Sequence, residues 1–269
     1  MAKIENRFLD LGHLDSLAEL DSPVHRLDSR VKVVTTLVFV VLVVSRGSHE
    51  VAGLLPFVLF PAVAIAASGL SLGYFLRKLL IVSPFVFCVA VFNPILDRSP
   101  MLQLGPLVVS GGWVSFVSIL LRFTLTVGAA LVLIATTGFA QVCRALEQLG
   151  LPKLFVVQLL FLYRYLFVLG DEGTRMVRSH ALRSGGHRMS LAVFRQLAGT
   201  LLLRTIARAE RIHLAMLCRG FDGEIRSLRP GRFGGAEMAI TAGLCGLLLL
   251  FRLVNLPQAA GTFLLEILP

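Results

Sequence analysis

Apolar residues in this chain fall into long runs separated by polar stretches, and five of the runs have the length, or nearly the length, of a bilayer crossing. A spanning helix needs roughly 17–25 mostly apolar residues, because the hydrocarbon core is about 30 Å thick and each helical residue rises about 1.5 Å. The runs lie at about 31–45, 51–68, 79–96, 114–140 and 237–254. The first is short, so its span is expected to begin in the interface at Ser29 to Lys32, with Lys32 snorkelling toward water. Asn93-Pro94 is expected to end the third, since proline breaks a helix. A sixth run, 151–170, is apolar enough for a hydropathy window but carries Lys153, Gln158 and Arg164. Each charge at mid-bilayer costs a few kcal/mol.

Charge orients these runs. The chain has 26 Lys+Arg against 16 Asp+Glu, a net +10, yet is 56% hydrophobic and only 16% charged. That is more apolar side chain than one globular core buries, which argues against a soluble enzyme. Loops on the cytoplasmic side are enriched in Lys and Arg. With the N-terminus inside, 22 of the 26 basic residues share one side: Lys3, Arg7, Arg26, Arg30, Lys32, Arg77, Lys78 and fifteen between 141 and 236. Arg46 and Arg98 fall outside, Arg252 sits near the outer end of the last run, and Arg122 lies within the fourth, where it is expected to pair inside the bundle. If 151–170 crossed, the twelve basic residues of 171–236 would move outside, so this run is read as a helix at or just under the inner face. The first thirty residues hold six acids and four basic residues, the wrong layout for a cleaved signal peptide, so the first run is expected to remain a span.

Residues 141–236 carry fifteen basic residues against six acids, +9 of the +10. The chain thus divides into 1–140 (an N-terminal cytoplasmic segment and four spans), 141–236 (a cytoplasmic or interfacial helical module) and 237–269 (a last span and tail). From Phe155 a helical pattern continues to Ser184-Gly185-Gly186, where glycines supply a stop. A second run from Ser190 to Arg219 places Leu191, Phe194, Leu197, Ala198, Leu201, Leu202, Thr205 and Ile206 at helical spacing and stops at Gly220. Arg204, Arg208 and Arg211 form a basic stripe on it. Each helix ends in a cluster of arginine and small residues, around Arg183 and around Arg219, 36 residues apart. A guanidinium at a helix C-terminus gains about 0.3–1 kcal/mol from the dipole, which accounts for one such cluster as a cap. Two of them on consecutive helices point to paired docking points, because Arg presents a planar fork matched to carboxylates.

With LDSRVK at 27–32, SHALRSGG at 179–186 and AMLCRGFDGEI at 215–225, the chain resembles, over nearly its whole length, the transmembrane (T) components of energy-coupling factor transporters, most closely the CbiQ-type subunit of cobalt uptake systems. The resemblance implies an all-α polytopic membrane protein with about five transmembrane helices and a cytoplasmic module of long coupling helices. It further implies a non-catalytic, multi-pass subunit of the cell (inner) membrane with its N-terminus in the cytoplasm. Its partners would be two ATPase subunits, which bind ATP and Mg, and a membrane-embedded subunit that binds the metal. In that family two Ala-Arg-Gly-like motifs end the coupling helices and dock into grooves on the ATPases. Carried over residue by residue, Arg183 and Arg219 are the docking arginines, and Ala181, Ser184, Ala215 and Gly220 the small neighbours that permit close approach. The two sites read Leu182-Arg183-Ser184 and Cys218-Arg219-Gly220 here. The apolar residues Phe155, Leu159, Phe161, Leu162, Leu166 and Phe167 are expected to face the metal-binding subunit as well as to pack internally. Cobalt is the implied cargo and nickel its alternative.

Other chemistry is missing from the sequence. No GxxxxGK[ST] occurs, so the ATPase must be another chain, and the Gly-rich stretches at 184–186 and 231–235 read as turns. Cys88, Cys143, Cys218 and Cys245 have no CxxC spacing, which supports neither a disulfide framework nor a zinc site. None of His13, His25, His49, His180, His187 and His213 is paired at i+3 or i+4 or lies within a span, so no metal site is expected in this chain. A self-sufficient secondary transporter is the competing class, weakened by the absence of internal repeats and the shortage of polar residues in the spans. A membrane enzyme would need a cluster of acid, base or nucleophile that the helical spacing does not provide.

Overall fold

The computed structural model describes residues 18, 22–47, 51–96, 100–104, 107–185, 189–225 and 234–253. Expectations placed on Lys3, Arg7, Arg98, Gly186, His13, His49, His187, residues 226–233 and the tail from 254 lie outside the described residues.

Each helix begins and ends where local chemistry allows. After a single turn, α1 (Pro23–Arg26), the Asp28 carboxylate accepts the Arg30 N–H at 2.8 Å and starts α2 (Ser29–Val44). The next apolar stretch contains Pro56 and is divided into a 3-10 segment, Ala52–Val58, and α3 (Leu59–Ser68), which ends at the left-handed Gly69. Then come α4 (Leu72–Leu96) and a short antiparallel hairpin, β1 (Pro100–Leu104) with β2 (Leu107–Ser110). It leads into α5 (Gly111–Thr137), which Gly138, at φ 75, separates from α6 (Phe139–Gln148). Last in order are α7 (Lys153–Arg183), α8 (Leu191–Cys218) and α9 (Gly235–Leu253). Ser190 caps α8 by accepting the Val193 N–H.

The described residues form two compact units, one of residues within 139–225 and one of residues within 18–138 together with 234–253. The core of the second is built on α2. Phe39, Leu42 and Val43 pack with Leu54 and Phe57, with Leu125 and Ala129 of α5, and with Leu248 of α9. Phe39 stacks on Phe60 at 4.7 Å and meets Phe57 at 6.0 Å. A glycine is needed where α4 meets α5: a Cβ at Gly128 would stand 2.9 Å from Cζ of Phe75. Many apolar side chains outside this core are uncovered, Phe85 being 75% and Leu80 67% exposed on α4. A patch that large is stable where lipid tails are the solvent.

Four described helices are long and apolar enough to cross a membrane by length and composition: α4 over Phe75–Ile95, α5, α7 and α9. The set differs from the expected five. At 16 residues α2 is about 24 Å long, and 52–68 is a shorter apolar helix of 17 residues whose first part, around Pro56, is 3-10, so neither is among the four. Conversely α7 is, because nothing stops the helix at Gly170 and it continues unbroken to Arg183. Two smaller expectations are corrected. Pro94 lies inside α4, as does Pro84, and the helix runs two residues further, to Leu96. Lys32 does not reach water: it is 8% exposed, and its ammonium donates to the carbonyls of His25 at 3.2 Å and Thr136 at 3.0 Å, neutralising the exposed carbonyl ends of α1 and α5. Arg122 donates from one terminal nitrogen to the Gly47 carbonyl inside its unit, while its Nε is buried with no partner among the described residues.

Candidate functional site

Within the unit of residues 139–225, α7 and α8 are long because neither contains a proline, and α7 has two unlike parts. In α7 the first half is apolar, whereas Asp171, Glu172, Arg175, Arg178 and Arg183 follow Gly170. The start of α7 meets the chain just past α8: Phe161 and Phe221 have ring centroids 6.4 Å apart, and Lys153 pairs with Glu224. Further along, Gly173 faces Leu201, and Glu172 faces Arg204 and Arg208. These contacts in reversed order make the two helices antiparallel. Between them lies a cavity of about 580 Å³, lined by Phe161, Tyr165, Ile212, Met216 and Phe221 among others.

Glu172 joins the pair. It accepts from Arg204 at 2.9 Å, Arg208 at 3.3 Å and Arg175 at 3.4 Å, and its side chain is only 18% exposed. The hydrogen bond from Arg204 holds the carboxyl below the usual carboxylate range, with the charges of Arg175, Arg204 and Arg208 adding to it. Two members of the stripe expected on α8 are thus engaged by one acid. Charge counting passed over this residue, although an acid among fifteen basic neighbours was the available signal.

Both motif arginines sit at helix ends. Arg183 is the last residue of α7; Ser184 follows it, its N–H donating to the His180 carbonyl and its Oγ to the Ala181 carbonyl. Arg219 caps α8, and Gly220 at φ 76 completes a Schellman motif, with Phe221 N–H donating to Met216 O and Gly220 N–H to Leu217 O, both at 3.0 Å. Arg183, Arg219, Ala215 and Gly220 are exposed, and Ala181 and Ser184 half-buried. Among the described residues neither guanidinium has a hydrogen-bond or ion-pair partner. The fold keeps the two apart. Arg219 lies two residues from Phe221, beside the start of α7, whereas Arg183 ends α7, 22 residues or about 33 Å beyond Phe161.

The apolar residues assigned to partner contact divide into two sets. Phe155, Leu159, Leu162 and Leu166 recur at helical spacing on α7; Phe155 is 63% and Leu162 62% exposed, Leu166 is exposed, and Leu159 is half-buried. Phe161 and Phe167 are instead held inside the unit: Phe161 lies against Phe221 and Tyr165, and Phe167 meets Tyr163 edge-on at 5.1 Å, which in turn stacks on Phe139. Among the described residues no group of three or more His, Cys, Asp and Glu is placed to hold a metal ion.

A helical, polytopic membrane protein that carries a pair of long antiparallel helices with exposed arginine tips is the class these features define. The chain belongs to the CbiQ cobalt transport protein family, whose model matches residues 21–229, and is a membrane transport component. It is similar to the energy-coupling factor transporter transmembrane protein EcfT of Heliobacterium modesticaldum, 28% identical over 258 residues, covering 88% of this chain and 95% of that protein. It is also similar to an uncharacterized protein of Methanocaldococcus jannaschii, 26% identical over 216 residues, 75% of this chain and 72% of the relative.

Proposed function

We propose that this chain is the T component of an ATP-driven energy-coupling factor importer, a non-catalytic subunit that links two ATPase subunits to a membrane-embedded metal-binding subunit. The observation that carries this reading is the pair of exposed guanidiniums, Arg183 and Arg219, at the far ends of two antiparallel helices tied together by Glu172. Two stiff levers with separated cationic tips suit two acidic grooves that move relative to one another as ATP is hydrolysed. The small residues Ala181, Ser184, Ala215 and Gly220 leave room for a groove wall to approach each arginine. The stripe of Phe155, Leu162 and Leu166, which are exposed, with the half-buried Leu159, is assigned to the metal-binding subunit, which carries the ion.

The family description favours cobalt as cargo, with nickel as the alternative. The distribution of basic residues favours the inner membrane with the N-terminus in the cytoplasm and α7 lying along the inner face. The test is Arg183→Glu and Arg219→Glu in the assembled complex. A carboxylate in an acidic groove costs about 3–5 kcal/mol when the partner charge is lost. Co-purification of the ATPase should fall and uptake of cobalt should stop, while membrane insertion is retained. Full assembly and normal uptake in both variants would sink the assignment, and uptake of each ion by the reconstituted complex separates cobalt from nickel.

A further inference from the structure

The two arginine tips are held differently. After Arg183, among the described residues, Ser184 bonds only to its own helix, through His180 and Ala181. After Arg219 the chain turns back onto α7. Gly220 at φ 76 reverses the direction and Phe221 is returned over α7, its ring 6.4 Å from that of Phe161 at an interplanar angle of 51°. The Asp222 carboxylate accepts the Glu224 N–H at 3.1 Å, a tight turn that brings Glu224 to Lys153, the first residue of α7. Residues 220–224 therefore form a strap with two attachments, both within the first nine residues of α7, and Phe221 is also one wall of the cavity between the helices. Arg219 is bracketed between the end of α8 and this strap.

We propose that Phe221, Glu224 and Lys153 are positioning residues that fix Arg219 relative to α7, and so set the separation between Arg219 and Arg183. The inference rests on the docking reading above, since a fixed separation matters only if both arginines bind a partner. Of the two attachments the aromatic one is the stronger, because an exposed ion pair contributes little on its own and Lys153 and Glu224 are both largely exposed. Reversing one charge does more than deleting it, since it sets two like charges face to face.

The experiment uses the full chain in complex with its ATPase partner, with Cys88, Cys143 and Cys245 changed to Ser so that the exposed Cys218 takes a nitroxide beside Arg219, and with Ser179→Cys as the second label on α7. Pulsed dipolar spectroscopy then reads the separation of the two helix ends. A single narrow distance distribution is expected for the strapped chain. Phe221→Ala should at least double its width and lower uptake at least fivefold, Lys153→Glu and Glu224→Lys should each broaden it, and the double reversal Lys153→Glu/Glu224→Lys should restore both width and uptake. An unchanged distribution in Phe221→Ala overturns the proposal. So does a broadened one with normal assembly and uptake. If instead Arg219→Glu leaves the complex intact, the docking reading fails by itself, and the distances still report whether the strap exists.

Discussion

Arg46 and Arg252 cap each other's helices. Arg46, just past the end of α2, donates to the carbonyls of Phe251 at 3.1 Å and Arg252 at 2.7 Å; Arg252, in the last turn of α9, donates to the Ser45 carbonyl at 3.2 Å and to its Oγ at 3.3 Å. The last carbonyls of a helix have no partners within it, and in a lipid surround they find no water, so a cation from the neighbouring helix serves both the hydrogen bond and the dipole. Each arginine thus serves the open carbonyl end of the other's helix.

Removing Arg46 should therefore loosen α9 from α2. Arg46 is 8% exposed, and a hydrogen bond from a charged donor is worth about 1.5–3 kcal/mol. Arg46→Ala is expected to lower the thermal midpoint of the detergent-solubilised protein by several degrees, and Arg252→Ala, at a more accessible position, by less. Arg46→Lys should recover only part of the loss, because both carbonyls are reached by one terminal guanidinium nitrogen and the shorter lysine side chain brings its ammonium less far. Equal midpoints for the Lys variant and the parent would refute the role given to the guanidinium geometry.

A second prediction concerns Glu172, which three arginines from two helices share. Glu172→Gln removes the charge while keeping the shape, and should free α8 from α7 without unfolding either helix. Hydrogen exchange at the amides of Leu201 to Arg208 should accelerate, whereas exchange in α2 and α5 should not change. Because the arginines hold this carboxyl ionised below its usual range, its contribution is present at neutral pH and above the unfolded carboxylate value. It is lost as pH falls through the lower folded value, so the same acceleration should appear in the parent protein under acid and be absent from the variant's own pH profile.

What the sequence disclosed, and what it withheld, follows from which forces are local. Helix ends set by neighbours in the chain were readable: Ser190 at the start of α8, Gly220 at its end, the apolar runs that became α4, α5 and α9. Features set by partners far along the chain were not. Lys32 looked like a lysine reaching for water because its true partner, the Thr136 carbonyl, lies 104 residues away. Hydropathy placed the start of α4 at residue 79 because Arg77 and Lys78 interrupt the apolar run, but charge does not stop a helix and the backbone is helical from Leu72. At the candidate site the arginine tips were legible from composition at the helix ends. The strap of Phe221 and Glu224 was not, since nothing in a one-dimensional pattern says that residue 224 returns to residue 153.

The contact of α4 with α5 offers a third test. Gly128→Ala places a methyl group 2.9 Å from Cζ of Phe75, so the ring must move, and overpacking of this kind costs about 1–3 kcal/mol. Phe75→Ala alone leaves a void. In the double variant the methyl fills part of that void, so the two losses should sum to more than the loss in the pair. Thermal unfolding of the four proteins measures the coupling, and strict additivity would show that the ring is free to step aside.

The last prediction separates the backbone turn after α8 from the side chains that follow it. Gly220 adopts φ 76, and no Cβ contact within 4 Å would oppose a larger residue there, so any penalty for substitution comes from the left-handed conformation and not from crowding. That penalty is roughly 1–2 kcal/mol for alanine, enough to shift the balance between the closed and opened turn about 5–30-fold. Asparagine tolerates the same region and should cost less. Gly220→Ala is therefore expected to speed amide exchange at Phe221, whose N–H closes the turn onto Met216, and to weaken ATPase co-purification, with Gly220→Asn between it and the parent on both measurements. If the alanine variant loses co-purification while the Phe221 amide stays protected, the small residue at 220 is needed for close approach of the partner; if both change together in the order Gly, Asn, Ala, the need is for the turn that presents Arg219.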